Sequence, residues 1–215
     1  TIDTPSDSSG ASTDQQRAET EQDVHPKPEG PPPGRRMKRG GKEARPDRKK
    51  TMKTLTLVRH AKSSWKDRTL RDRDRPLNKR GTRDAPVMGQ RIVAAGIRPS
   101  LMISSPAERA WTTAKVIAGE LSYPIEFLQR DENLYLASLD DWLDVVAAQE
   151  ESFNSIMLFG HNPGLTDFAN YLSPGLTYNV PTAGVVSVNI DRDDWLLYER
   201  PKTELVLYDY PKKGQ

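Results

Sequence analysis

From residue 52 onward, short apolar runs alternate with longer stretches in which apolar residues recur every third or fourth position. The first run is TLTLVRH, 54–60, where Leu55 and Leu57 alternate with the β-branched Thr54, Thr56 and Val58. These residues suit a pleated surface, so the run reads as a strand. The charged segment AKSSWKDRTLRDRDRPLN that follows reads as a loop. A helix is expected from Lys79 to Ala95, with Val87, Met88, Ile92 and Val93 as its apolar face. Pro86 lies near enough to its start to be tolerated, and Gly96 stops it. SLMIS, 100–104, is a second strand, followed by a helix with Ser105 as its cap and Pro106 at its first position. PIEFL, 124–128, reads as a short third strand, and a helix follows from Leu139 to Ala148. SIMLFGH is a fourth strand that ends on His161, and NPGLTDFANYL opens a helix behind Asn162 and Pro163. AGVVSVNID and TELVLYDY complete the pattern as strands.

This alternation predicts an α/β domain with a mainly parallel sheet. In such sheets ligand sites lie at the carboxyl ends of the strands. The chain has three histidines, and the two outside the N-terminal region, His60 and His161, both fall at that position.

Composition sets the limits of the domain. The chain of 215 residues is 35% hydrophobic, enough for one sizeable core. Residues 1–51 are rich in Pro, Gly, Ser and charge, with almost nothing apolar beyond Ile2, Val24 and Met37, and are expected to be a disordered tail. MKTLTLVRH reads as a natural chain start at Met52, so the expected organisation is a tail over 1–51 and one domain over 52–215.

The tail holds 11 Lys and Arg against 9 Asp and Glu, and the remainder 21 of each, so the domain is formally neutral. The basic half of the tail, GRRMKRGGKEARPDRKK, has charge but no geometry, and nucleic acid is not an expected partner. Without cysteine there is no disulfide, thiolate zinc site or cysteine nucleophile. No run reaches the ~18 apolar residues of a membrane span, and no secretory signal is evident at the N-terminus. A cytoplasmic protein is expected.

Arg109, in SSPAERAWTTA, falls in the first turn of a predicted helix. A cation there opposes the macrodipole by several tenths of a kcal/mol. An anionic ligand held by the guanidinium and the helix N–H groups together would explain it. A surface pairing with Glu108 or another acid is the simpler alternative.

The segments LVRHAKSSW, DRPLNKRGTRDAPVMG, ISSPAERAWTTA, ENLYLAS, LFGHNPGLTDFANYL and VPTAGVVSV occur in this order over most of 52–190. In this ordered set the chain resembles the histidine phosphatase superfamily, and within it the small SixA-type phosphohistidine phosphatases. The resemblance implies a phosphoglycerate mutase-like fold, a three-layer sandwich with a mainly parallel central sheet flanked by helices. It implies that His60 is a nucleophile forming a phosphohistidine intermediate, that Arg59 and Arg109 clamp the phosphoryl oxygens, and that His161 completes the pocket. No cofactor or metal is called for.

The general acid of relatives that hydrolyse alkyl phosphates has its nearest match in Glu132, with Asp131 as the alternative. Ser63, Trp65 and Arg75 are candidates for substrate contact in the loop after His60, together with Ser64, Arg73 and Asp74, although the alternating Arg and Asp also suit solvated ion pairs. With little room for large lid insertions, an open site for a phosphorylated protein is expected; a small phosphate ester is the alternative substrate, and a non-catalytic phosphate-binding module the alternative function.

Overall fold

The computed structural model describes residues 52–213. The expected disordered tail, with His25, lies outside the described residues.

In chain order the elements are strand β1 (Lys53–Arg59), helix α1 (Lys79–Ala94), strand β2 (Leu101–Ser104), helix α2 (Glu108–Glu120), strand β3 (Gln129–Arg130), helix α3 (Leu139–Ala147), strand β4 (Ser155–Gly160), helix α4 (Gly164–Leu172), and strands β5 (Val185–Ile190) and β6 (Thr203–Asp209). One sheet takes the order β3-β2-β4-β1-β5-β6. Its β3, β2, β4 and β1 neighbours are parallel, whereas β5 and β6 add an antiparallel edge.

Alternation along each central strand sends side chains to two separate cores. Leu55, Leu57, Ile103, Ile156 and Leu158 pack with Trp142 of α3 and Phe168 of α4. Val58, Met102, Met157 and Phe159 pack with Met88 and Ile92 of α1 and Ile117 of α2. Helices therefore cover both faces, giving the three layers expected, and strands buried on both faces read as continuous apolar runs. Each large apolar side chain so buried contributes roughly 1.5–3 kcal/mol.

Several local expectations are corrected. PIEFL is not a strand: Ile125–Phe127 forms a 3-10 turn, and the chain pairs with β2 only at Gln129 and Arg130. Val87 faces solvent, and Ala85 and Gly89 join Met88 and Ile92 on the buried face, because the helix turns its stripe by 3.6 residues rather than by runs of apolar type. Ser105 does not cap α2. The helix begins at Glu108 after Ala107, so Pro106 precedes it, and the Ser105 hydroxyl is used elsewhere.

The fold places three strand ends together. Arg59 of β1 is level with Gly160 of β4, and Ser104 of β2 is level with Phe159 of β4. His60, His161 and Ser105 are thus the next residues out along three adjacent parallel strands.

The start of α1 is also fastened to this edge. Asn78 accepts from Gly81 N–H at 2.9 Å as its cap, while its own N–H donates to the Lys62 carbonyl at 2.9 Å. A Cβ at Gly81 would stand 2.2 Å from that carbonyl oxygen, so only glycine allows the helix to approach the chain this closely.

Candidate active site

The backbone of His60 is held on both sides. Its N–H donates to the Gly160 carbonyl at 3.1 Å, and its carbonyl accepts from Ala183 N–H at 3.1 Å. The next N–H, from Ala61, donates to Thr113 Oγ1 at 3.0 Å, and that hydroxyl donates to the Arg109 carbonyl at 2.7 Å. The histidine and the first turn of α2 are thereby joined through one buried threonine.

The His60 ring is 8% exposed. Its Nδ1 lies 2.8 Å from the Ala61 carbonyl, which can only accept, so Nδ1 carries the proton and Nε2 presents a lone pair. Arg109 Nε–H faces that lone pair at 3.4 Å. Burial, and then the charges of Arg109, Arg59 and Arg75, lower the His60 pKa to about 3, against the raising effect of the Ala61 carbonyl. The ring is therefore neutral at physiological pH.

His161 stands across the pocket, its ring centroid 5.0 Å from that of His60, with Tyr135 edge-on at 5.7 Å. Its Nε2 is 2.8 Å from Ser105 Oγ. That oxygen also accepts from Ala107 N–H at 3.4 Å, and in the tautomer in which its hydroxyl proton goes to His161 Nε2 the ring's own proton is on Nδ1. His161 Nδ1 is buried with no partner among the described residues. Burial first, then His60 and Arg109, lower its pKa to about 2.

Two guanidiniums complete the arrangement. Arg109 is 4% exposed, with Nη1 donating to the Asp72 carbonyl at 2.5 Å and Nη2 to Asp72 Oδ2 at 2.8 Å. Arg109 is thus paired with another acid, Asp72, but it is buried and not on the surface. Arg59 donates through Nη1 to the Val180 carbonyl at 2.6 Å and to Asn179 Oδ1 at 3.2 Å, leaving Nε buried without a partner among the described residues. Asn162 holds the same Asn179 oxygen at 2.6 Å.

The other candidates lie at the rim. Arg75 is buried, donates to Ser63 Oγ at 2.6 Å, to the Ser64 carbonyl at 3.1 Å and to Asp72 Oδ1 at 2.7 Å, and stacks on exposed Trp65 at 3.2 Å. Arg71 and Asp74 form the exposed ion pair expected of this segment. A cavity of about 540 Å³ beside this cluster is lined by Trp65, Asp67, Arg68, Leu70, Asp72 and Arg75. Glu132 is exposed and paired with Arg73 at 2.5 Å, while the Asp131 side chain caps its own 3-10 turn through Asn133 N–H.

The sequence reasoning missed Asp72, Tyr135 and Ser105. Asp72 was hidden in the run RDRDR, and Ser105 was assigned to a helix cap. Nothing local distinguishes the acid of this run that meets Arg109 from its charged neighbours. A second cavity, about 490 Å³, lies at the amino end of β2 among Leu101, Tyr123 and Phe127, at the opposite end of the strand from Ser104 and Ser105. Among the described residues no group of three or more His, Asp and Glu could hold a metal ion, and no helix is long and apolar enough to cross a membrane.

Both rings are expected to stay neutral from about pH 5 to 8, unlike ordinary histidines near pKa ~6.5. Ring NMR should show no titration of either in that window; a midpoint near 6.5 for His60 would contradict the burial argument. Since the unfolded chain takes up those protons as the pH falls and the folded chain does not, these two residues lower stability progressively below about pH 6.5.

The histidine phosphatase superfamily (branch 1) model matches residues 55–154, a span that includes His60 and Arg109 but not His161. An uncharacterized chloroplastic protein of Arabidopsis thaliana is 31% identical over 151 residues, covering 66% of this chain and 68% of that protein. A 2,3-bisphosphoglycerate-dependent phosphoglycerate mutase of Brucella ovis is 37% identical over 84 residues, and the chain spans only 41% of its length. Among solved structures, a protein assigned as phosphohistidine phosphatase SixA from Agrobacterium tumefaciens superposes with a TM-score of 0.64 at 25% identity, covering 74% of this chain and 98% of that one. The shared segment carries the buried histidine and arginine of the pocket, and the shared architecture brings three strand ends around them: the chain belongs to the histidine phosphatase superfamily, with a SixA-type fold.

Proposed function

We propose that the protein is a metal-independent phosphatase that acts through a phosphohistidine intermediate on His60, with phosphohistidine on a protein as substrate. The observation that carries this reading is the His60 Nε2 lone pair, fixed by the Nδ1–H bond to Ala61 and set 3.4 Å from Arg109 Nε.

In the first step Nε2 attacks phosphorus, the N–P bond forms, and the bond from phosphorus to the leaving group breaks. In the second, water attacks phosphorus, the Nε2–P bond breaks, and phosphate departs with the water's proton passed to solvent or to a rim base. Both transition states are loose and spread charge over the equatorial oxygens, so the work is positioning and electrostatic stabilisation. Arg109 and Arg59 supply the cations, and His161 Nδ1, which has no partner among the described residues, is a donor to the phosphoryl group in the tautomer that protonates it.

The leaving group favours a P–N bond. An alkoxide approaches the basicity of hydroxide, with water near ~15.7, whereas a phosphohistidine ring that takes a proton from solvent on its far nitrogen leaves as neutral imidazole, whose conjugate acid has a pKa of ~6.5. A strong general acid is needed for the former and much less for the latter. Glu132, the candidate acid, is exposed and engaged by Arg73. The cytoplasmic setting expected from the sequence belongs to the same reading.

The test compares a phosphohistidine protein with an alkyl phosphate for wild type and Glu132→Gln. The expected result is faster turnover of phosphohistidine, unchanged within about twofold in the variant, with any larger loss confined to the alkyl phosphate. Equal loss on both substrates would overturn the leaving-group argument, and faster turnover of the alkyl ester would favour the phosphomonoesterase reading.

A further inference from the structure

Asp72 bonds three side chains around the site, Arg109, Tyr135 and Arg75. Its Oδ2 accepts from Arg109 Nη2 at 2.8 Å and from the Tyr135 hydroxyl at 3.0 Å, its Oδ1 from Arg75 Nη1 at 2.7 Å, and its main-chain carbonyl from Arg109 Nη1 at 2.5 Å. The same Tyr135 stands edge-on to His161, and the same Arg75 holds Ser63, Ser64 and Trp65.

A guanidinium is planar, and its direction is set once both terminal nitrogens are held. Here the carbonyl and carboxylate of one residue take one N–H from each Nη, and the Nε–H is the group turned to His60 Nε2 at 3.4 Å. Arg109 has 4% of its side chain exposed and Asp72 has 44%, so the acid grips the buried cation from the solvent side.

We propose that Asp72 is a positioning residue: it holds Arg109 by its two Nη groups so that the Nε edge faces the phosphoryl site at His60, and through Arg75 it ties that orientation to the loop bearing Ser63 and Trp65. The proposal rests on the phosphatase reading, in which Arg109 binds the phosphoryl group.

Two other roles fit an aspartate at this place less well. As a general acid it would have to carry a proton. Despite the raising effect of partial burial, the bonds from Arg109, Tyr135 and Arg75 and the Arg109 charge hold its carboxyl below the usual range. As an anionic plug competing with phosphate it would have to cover the Arg109 donor that faces His60, but it takes the opposite Nη groups instead.

The test is a cycle of Asp72→Ala, Asp72→Asn, Arg109→Ala and the Asp72→Ala/Arg109→Ala double variant, assayed on p-nitrophenyl phosphate and an alkyl phosphate, with thermal melts to confirm folding. For Asp72→Ala, kcat/KM should fall about 10- to 100-fold, the effect of displacing a positioned group by an ångström or so. The loss should be the same on both substrates, since Arg109 acts on the phosphoryl group and not on the leaving group. Asp72→Asn keeps an oxygen acceptor and the main-chain carbonyl, so it should recover most of that loss. In the Arg109→Ala background, Asp72→Ala should add less than about twofold, because the group it positions is gone.

Activity of Asp72→Ala at or above wild type would overturn the proposal in favour of a plug. A loss confined to the alkyl phosphate, with Asp72→Asn as poor as Asp72→Ala, would overturn it in favour of a general acid. Additive losses in the double variant would also overturn it. Wild-type activity in Arg109→Ala would instead overturn the phosphoryl-binding role of Arg109, and that outcome is distinct from all three. If Asp72→Ala does not fold, Asp72→Asn in wild-type and Arg109→Ala backgrounds decides by the same criterion of additivity.

Discussion

His60→Ala is expected to abolish turnover of every phosphorylated substrate, a loss of at least ~10³-fold. The neutral ring is the group in the pocket with a free lone pair beside a guanidinium N–H, and without it the two-step route has no covalent acceptor. Direct attack by water would retain only the electrostatic help of Arg59 and Arg109. Wild-type enzyme mixed with a ³²P-labelled substrate and quenched in alkali should carry label on the protein, whereas His60→Ala should carry none. Unchanged hydrolysis in the variant, or equal labelling, would show that another group attacks phosphorus. His60 packs beneath its rim with its backbone bonded to Gly160 and Ala183, and alanine keeps those backbone bonds, so the fold should survive.

The second large effect is at Arg109. Replacing it with lysine should lower kcat/KM by at least ~10²-fold, because removal of one preorganised donor at a developing charge has that consequence. The charge alone does not suffice. A lysine ammonium cannot occupy both Asp72 oxygens and face His60 through a rigid plane. Arg109→Ala should be worse, since it leaves the Asp72 carboxylate near the pocket without this cation. The inhibition constant for orthovanadate should rise with the loss in kcat/KM if the guanidinium binds the phosphoryl group. A fall in kcat/KM with orthovanadate inhibition unchanged would show that Arg109 acts elsewhere.

Much of the fold was legible because its signals are local. The apolar runs containing Leu55, Met102 and Leu158 announce strands, and the spacing of Met88 and Ile92 announces a helix, whatever surrounds them. PIEFL misled for a physical reason: Ile125 and Phe127 are β-formers by type but stand on the surface, 51% and 63% exposed, with no strand to pair them. Type favours a strand only where a partner supplies the ladder. Ser105 misled similarly, since a serine before a helix resembles a cap until a histidine from another strand claims its hydroxyl.

Strand ends predicted where His60, Arg109 and His161 would be found, because the end of a parallel strand is a position in sequence as well as in space. The electrostatics required the folded chain. Burial leads the lowering of both histidine pKa values, ahead of the arginine charges, and burial exists only once α1 to α4 close over the sheet.

The covalent order of residues was sufficient for the alternation of strands and helices, for the strand tips and for the chemical types offered there, since periodicity and chain connectivity are properties of neighbours. Tertiary structure alone chose which acid among Asp67, Asp72 and Asp74 meets Arg109, a contact across 37 residues. The choice depends on where the loop after His60 lies once α1 is fastened to Lys62, and charge pairing over such a distance is selected by geometry, to which identical side chains in a row are locally blind.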